Sequence, residues 1–111
     1  MATVIKIDET KFDEKRPSTQ KLVESPNLIL VHFYLKKGQK INLHSSPSEV
    51  ITTVVKGKGK FFIGSIENFV ELDTGESVKY DPKEPHGFEA LEDMVVEAII
   101  TPNPQQQKIN L

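Results

Sequence analysis

Residues 50–63 read Val-Ile-Thr-Thr-Val-Val-Lys-Gly-Lys-Gly-Lys-Phe-Phe-Ile. The first six are β-branched, and in a helix each would lose side-chain freedom against the preceding turn. The run therefore predicts a strand. Lys56-Gly57-Lys58-Gly59 supplies hairpin-turn residues, and residues 60–63 return as a second strand.

Outward from this hairpin the same punctuation recurs. Residues 28–36, Leu-Ile-Leu-Val-His-Phe-Tyr-Leu-Lys, make the strongest strand candidate by length and by β-branched and aromatic content. Residues 20–24, 40–43, 69–72, 76–80, 86–91 and 94–101 are shorter candidates. Turns at Ser25-Pro26-Asn27, Lys37-Gly38-Gln39 and Asp73-Thr74-Gly75 separate them. Residues 3–7 alternate weakly and would add a first strand. Eight or nine short strands and no helix predict an all-β, antiparallel domain, and closure into a barrel or a double-sheet jelly roll is the usual way to manage so many edges.

With 111 residues the chain is read as one domain, 1–111, with a barrel core over about 20–102 and a Pro-, Asn- and Gln-rich mobile tail over 103–111. No repeat or linker divides it. There is no cysteine, hence no disulfide framework and no thiolate chemistry. Fourteen basic against sixteen acidic residues leave a net charge of −2, which argues against nucleic acid as partner, since that needs a dominant basic face. No apolar run reaches the roughly 20 residues of a membrane helix. The start, Met-Ala-Thr-Val-Ile-Lys-Ile-Asp, lacks the pattern of a secretory signal, so a cytoplasmic location is expected.

Two stretches resemble the motifs of the cupin superfamily, and with the strands between them the resemblance spans residues 28–102. The family's first motif reads G-x5-H-x-H-x3,4-E-x6-G; Gly38, His44 and Gly57 stand at its spacing. The second reads G-x5-P-x-G-x2-H-x3-N; Gly75 and His86 match it. The resemblance implies a double-stranded jelly-roll β-barrel, a small organic ligand or substrate, pairing into a homodimer, and in its metal-bound members a divalent ion (Fe, Mn, Zn or Ni) held by three histidines and a carboxylate. Here His44 and His86 occupy two of those positions, but Ser46 and Val50 stand where a histidine and the carboxylate are expected. Glu49 falls one residue early. In the second motif Asp81, Lys83 and Ala90 replace Pro, Gly and Asn.

Strand parity extends this reading. If His44 points inward without a bulge, Asn42, Ser46, Val50, Thr52 and Val54 do too, while Glu49 points out unless a bulge near Pro47 re-aims it. His86, Phe88 and Ala90 share a face. The expected ligand pocket is therefore Asn42, His44, Ser46, Val50, Thr52, His86 and Phe88, with His44, His86 and, through a bulge, Glu49 as candidate metal ligands. The histidine pair has three roles open to it: a metal site, a neutral hydrogen-bonded remnant, or a proton shuttle.

In residues 28–36, Ile29, Val31, Phe33 and Leu35 form the core-facing side. Leu28, Leu30, His32 and Tyr34 form an opposite face apolar enough to need a cover, either a further layer or a second copy of the chain, and the reading favours a homodimer. Parity sets Glu97 opposite Met94, Val96, Ala98 and Ile100, as an outward charge or a histidine partner. Lys56, Lys58, Lys60, Lys79 and Lys83 are read as solvated rather than as an anion site. The function expected is a ligand-binding or auxiliary role without a complete metal site; the alternative is a metal-dependent dioxygenase- or isomerase-like enzyme.

Overall fold

The structure, a computed structural model, describes residues 1–105. Among these, nine strands follow a 3-10 turn at Glu9–Lys11: β1 (Ser18–Glu24), β2 (Ile29–Leu35), β3 (Lys40–His44), β4 (Glu49–Lys56), β5 (Lys58–Ile63), β6 (Ser65–Asp73), β7 (Ser77–Tyr80), β8 (His86–Ala90) and β9 (Met94–Thr101). They form a five-stranded sheet, β1-β2-β9-β4-β7, and a four-stranded sheet, β3-β8-β5-β6, with every pairing antiparallel. Of the barrel and the double-sheet jelly roll that the sequence left open, the second is the one formed. Among the described residues, ladder bonding stops at β1, β7, β3 and β6, so two open sheets pack face to face in a jelly-roll arrangement.

The core lies between the sheets, where inward positions of both alternate with outward ones. Leu35, Val54, Met94 and Val96 come from the larger sheet, and Phe61, Leu72, Phe88 and Ala90 from the smaller. The hairpin expected over residues 50–63 is corrected: β4 and β5 are both strands, with Gly57 at φ +91° between them, but they share no ladder and lie in different sheets, so the turn carries the chain from one sheet to the other. A side chain at Gly57 would strike the Asp93 carbonyl oxygen, since a β-carbon there would lie 2.2 Å away.

Three further departures from the sequence reading exceed a shift of two residues at a strand end. Residues 3–7 join no ladder and are exposed. β6 starts four residues earlier than expected, directly after Gly64, whose φ of +78° makes a tight turn from β5. The mobile tail expected over 103–111 does not begin at residue 103. Asn103 is buried, its backbone N–H donates to the Pro26 carbonyl, and its side-chain amide donates to the Ser25 carbonyl. The last six residues of that tail, 106–111, lie outside the described residues.

The second face of β2 is covered by the chain itself. Tyr34 is fully buried: Phe12 packs edge-on against its ring at 5.5 Å, and its hydroxyl accepts the Asp8 N–H at 2.9 Å and donates to Gln20 Oε1 at 3.1 Å. Beside it, buried His32 bonds through Nε2 to Glu97 Oε2 at 2.9 Å, directly across the β2–β9 ladder. Of the two roles open to Glu97, the structure selects the histidine partner. At His32 and Tyr34 the cover expected from a second copy is thus supplied by residues 8–12 and by neighbouring strands.

Candidate functional site

His44 ends β3 and His86 begins β8, and the two are direct partners in the β3–β8 ladder. Their rings meet edge to face with centroids 4.3 Å apart. Tyr80 stacks on His86 with centroids 4.7 Å apart. The loop that delivers His86 is tied at several points. The Lys83 N–H donates to the Ser46 carbonyl at 2.7 Å, the Asp81 N–H to Glu84 Oε1 at 3.0 Å, and the Gly64 N–H to the Pro85 carbonyl at 2.9 Å. Lys83, at the position of the resembled motif's glycine, adopts the left-handed φ of +69° that a glycine would take without cost.

The histidines open into a small pocket that is continuous with solvent at its mouth; the space within it that water-sized spheres can occupy is about 30 Å³. Val50 and Thr52 of β4 and Phe33 of β2 form one wall; Ala98 and Ile100 of β9 and Phe88 of β8 complete it. Five of the seven expected pocket residues line it: His44, Val50, Thr52, His86 and Phe88. Asn42 and Ser46 are not among the lining residues. Between Ile41 and His44 the β3 ladder shifts register, so three steps along β3 match two along β8. Ile41 and His44 consequently share the side toward the pocket, His44 at its solvent-open mouth and itself exposed, while Asn42 is exposed and not in the pocket lining. Ser46 lies beyond the strand, where its hydroxyl accepts the Ser48 N–H. Phe33, Ala98 and Ile100 were readable from parity as inward-facing, but not as pocket walls, because the pairings of β9 with β2 and with β4 bring them there.

Both imidazoles are fixed in the same way. His44 Nδ1 lies 3.0 Å from the Asn42 carbonyl oxygen and His86 Nδ1 lies 2.9 Å from the Glu84 carbonyl oxygen. A carbonyl only accepts, so each Nδ1 carries the proton and each Nε2 of the neutral ring is a bare lone pair. Burial pushes the His86 pKa below its ordinary value, and the neighbouring His44 adds to that. Burial likewise raises the Tyr80 hydroxyl well above its usual range, with Glu84 acting in the same direction; its proton is donated to the Phe62 carbonyl at 3.0 Å.

The donor set does not fit a resident divalent metal. Such ions usually take three or more protein ligands, and among the described residues no group of three His, Cys, Asp or Glu side chains converges. Glu49 does not join the histidines. It is exposed on the outer face of β4 and pairs with Lys79 at 2.8 Å, an ion that Asp81 also binds at 2.7 Å. The bulge that would have turned it inward occurs in β3 instead. Three further lysines are engaged on the surface: Lys56 pairs with Glu9, Lys58 with Glu71 at 3.6 Å, and Lys60 sits over the Phe69 ring at 4.5 Å.

Residues 31–102 match the sequence profile of the cupin domain, well over half of the chain. Among solved structures, the chain is similar to an RmlC-like cupin protein from Desulfovibrio desulfuricans at 29% identity, covering 92% of this chain and 97% of that one with a TM-score of 0.84. It is also similar to TT1209 from Thermus thermophilus (17% identity, 90% and 98% covered, TM-score 0.78) and to KdgF from a Halomonas species (21%, 85% and 87%, TM-score 0.74). At those lower identities the likeness concerns the fold alone. No curated protein sequence matches the chain.

Proposed function

The chain belongs to the cupin superfamily, and we propose that it works as a small-molecule-binding or auxiliary protein, holding a small organic ligand between its sheets without a complete metal site. The observation that carries this reading is the pocket itself: two oriented imidazoles set in an otherwise mostly apolar wall. Apolar enclosure with a few placed polar groups is the usual make-up of a small-ligand site. Methyl NMR tests it, because Val50, Thr52, Ala98 and Ile100 place methyl probes around the cavity. A mixed set of neutral, anionic and aromatic fragments should contain members that shift these methyls and leave the outer-face Ile66 methyls unmoved. If no fragment moves them, the pocket is not a binding site.

The alternative, a metal-dependent enzyme, is favoured by one observation. Each histidine donates its Nδ1–H to a backbone carbonyl, the arrangement that commonly orients metal-binding imidazoles. Metal analysis of untagged protein after reconstitution separates the two readings: about one bound ion per chain supports the enzyme, none supports the binding role.

Self-association into a homodimer is part of the proposal, on surfaces other than the β2 face. Val4, Ile5 and Ile7 are exposed in the unpaired N-terminal segment, and Ile66, Phe69 and Val70 are exposed on edge strand β6. Light scattering at high micromolar concentration decides it. The absence of cysteine suits a reducing compartment such as the cytoplasm, and no helix among the described residues is long and apolar enough to cross a membrane.

A further inference from the structure

We infer that this pocket selects small apolar molecules that bring their own hydrogen-bond donor, a phenolic or alcoholic O–H or an N–H, over carboxylates and phosphates. The inference rests on the binding role proposed above and adds the chemistry of the ligand.

The polar side chains facing the cavity are acceptors. His44 and His86 commit their Nδ1 protons to the Asn42 and Glu84 carbonyls, leaving the Nε2 lone pairs. His86 is only 4% exposed, its Nε2 has no partner among the described residues, and no side-chain nitrogen or oxygen of those residues is both buried and unpaired. What exposure His86 retains therefore includes Nε2, at the pocket. The other polar groups nearby have spent their protons. Thr52 directs its hydroxyl at the Val78 carbonyl, 3.4 Å away, and Tyr80 donates to Phe62. Among the described residues, no lysine or arginine lines the cavity. An anion seated against buried His86 would shed part of its hydration and meet lone pairs and hydrocarbon with no cation among the lining residues to offset that cost. A phenol whose hydroxyl end enters from the open mouth meets an acceptor for its proton, with Phe33 and Phe88, whose rings pack edge to face at 5.4 Å, in the wall beside it.

The test compares phenol, toluene and benzoate at about pH 8, where an ordinary histidine is neutral, by titration of the pocket methyls. Phenol should bind about three- to tenfold more tightly than toluene, the ratio a net hydrogen bond of ordinary strength gives, and benzoate should be the weakest. Long-range proton–nitrogen NMR of the natural protein should show both His44 and His86 as Nδ1–H tautomers. His86→Phe keeps an aromatic wall and removes a lone pair; it should bind toluene and lose part of the preference for phenol. If His86→Phe fails to fold, the tautomer measurement still decides. Benzoate binding as well as phenol, or an Nε2–H tautomer at both histidines, overturns the inference while leaving the pocket a binding site. Failure of every fragment to shift the methyls overturns the binding role and the inference together.

Discussion

The main chain of Gly87 packs directly against that of Ile41: a β-carbon on Gly87 would stand 2.6 Å from the Ile41 carbonyl oxygen and 3.1 Å from the carbonyl of Asn42. This contact lies at the register shift of β3, one residue from His86 on the opposing strand. The missing side chain lets the extra residue of β3 press onto β8, and the extra residue is what sets His44, rather than Leu43, opposite His86.

Gly87→Ala is therefore expected to act on both stability and site. The added methyl has backbone on the far side of the contact, which cannot rotate away, so a loss of about 1–3 kcal/mol is expected from overpacking. The chemical shifts of both imidazoles should move with it. Urea denaturation and histidine NMR check this; a Gly87→Ala variant as stable as the natural protein, with unmoved imidazole signals, would mean the strands can part freely here.

Val50→Glu should turn the pocket into a metal site. Val50 is 3% exposed and lines the cavity with both histidines, so a carboxylate there supplies the third ligand that zinc requires. Without metal the buried carboxylate destabilises the fold. Zinc in hundredfold excess over its Kd should restore about 2.7 kcal/mol, read as a rise in Tm, and should raise the Tm of the natural protein little. Adding Ser46→His should contribute nothing, because Ser46 is not in the pocket. A natural protein that zinc stabilises as strongly as the variant would contradict the incomplete donor set.

Stability should fall as pH drops below about 6.5, the ordinary histidine value. Burial depresses the His86 pKa in the folded protein, so the unfolded chain takes up a proton that the folded chain resists, and protonation favours unfolding through the window from about 6.5 down to the folded pKa. Asp8 and Asp93 have pKa values lowered by their hydrogen bonds to Thr10 and Lys37. Their contributions are present at neutral pH and are lost only below the usual carboxylate range, in a separate window. Thermal melts of the natural protein and His86→Phe between about pH 7.5 and 5.5 should diverge, with the variant flatter. Equal slopes would show that His86 titrates normally.

Lys83 gives a conformational prediction. Its φ of +69° costs a non-glycine residue roughly 1–2 kcal/mol. Lys83→Gly removes that cost and loses part of the gain to unfolded-state entropy, for a net effect of about 0 to +1 kcal/mol. Lys83→Val, β-branched, should lose about 1–2 kcal/mol or more. The order of the three denaturation midpoints is the readout, and valine ranking with glycine would refute it.

Much of the fold is legible in residue type and order. The β-branched run at residues 50–55, the turn glycines and the β-branched and aromatic content of residues 28–36 report local preferences, which are properties of a segment by itself. The spacing of Gly38, His44, Gly57, Gly75 and His86 likewise brought the two histidines to one place, where their rings lie 4.3 Å apart. What parity could not supply was any event that breaks parity. The extra residue in β3 sends Asn42 outward and leaves Ser46 outside the pocket. Glu49 keeps its outward parity and pairs with Lys79 because β7 lies alongside β4. Cover for Tyr34 comes from Asp8 and Phe12, more than twenty residues away in the chain. A residue's tendency to extend or to be buried is encoded locally; which partner satisfies its backbone and which group fills the space beside it is decided only when distant strands meet.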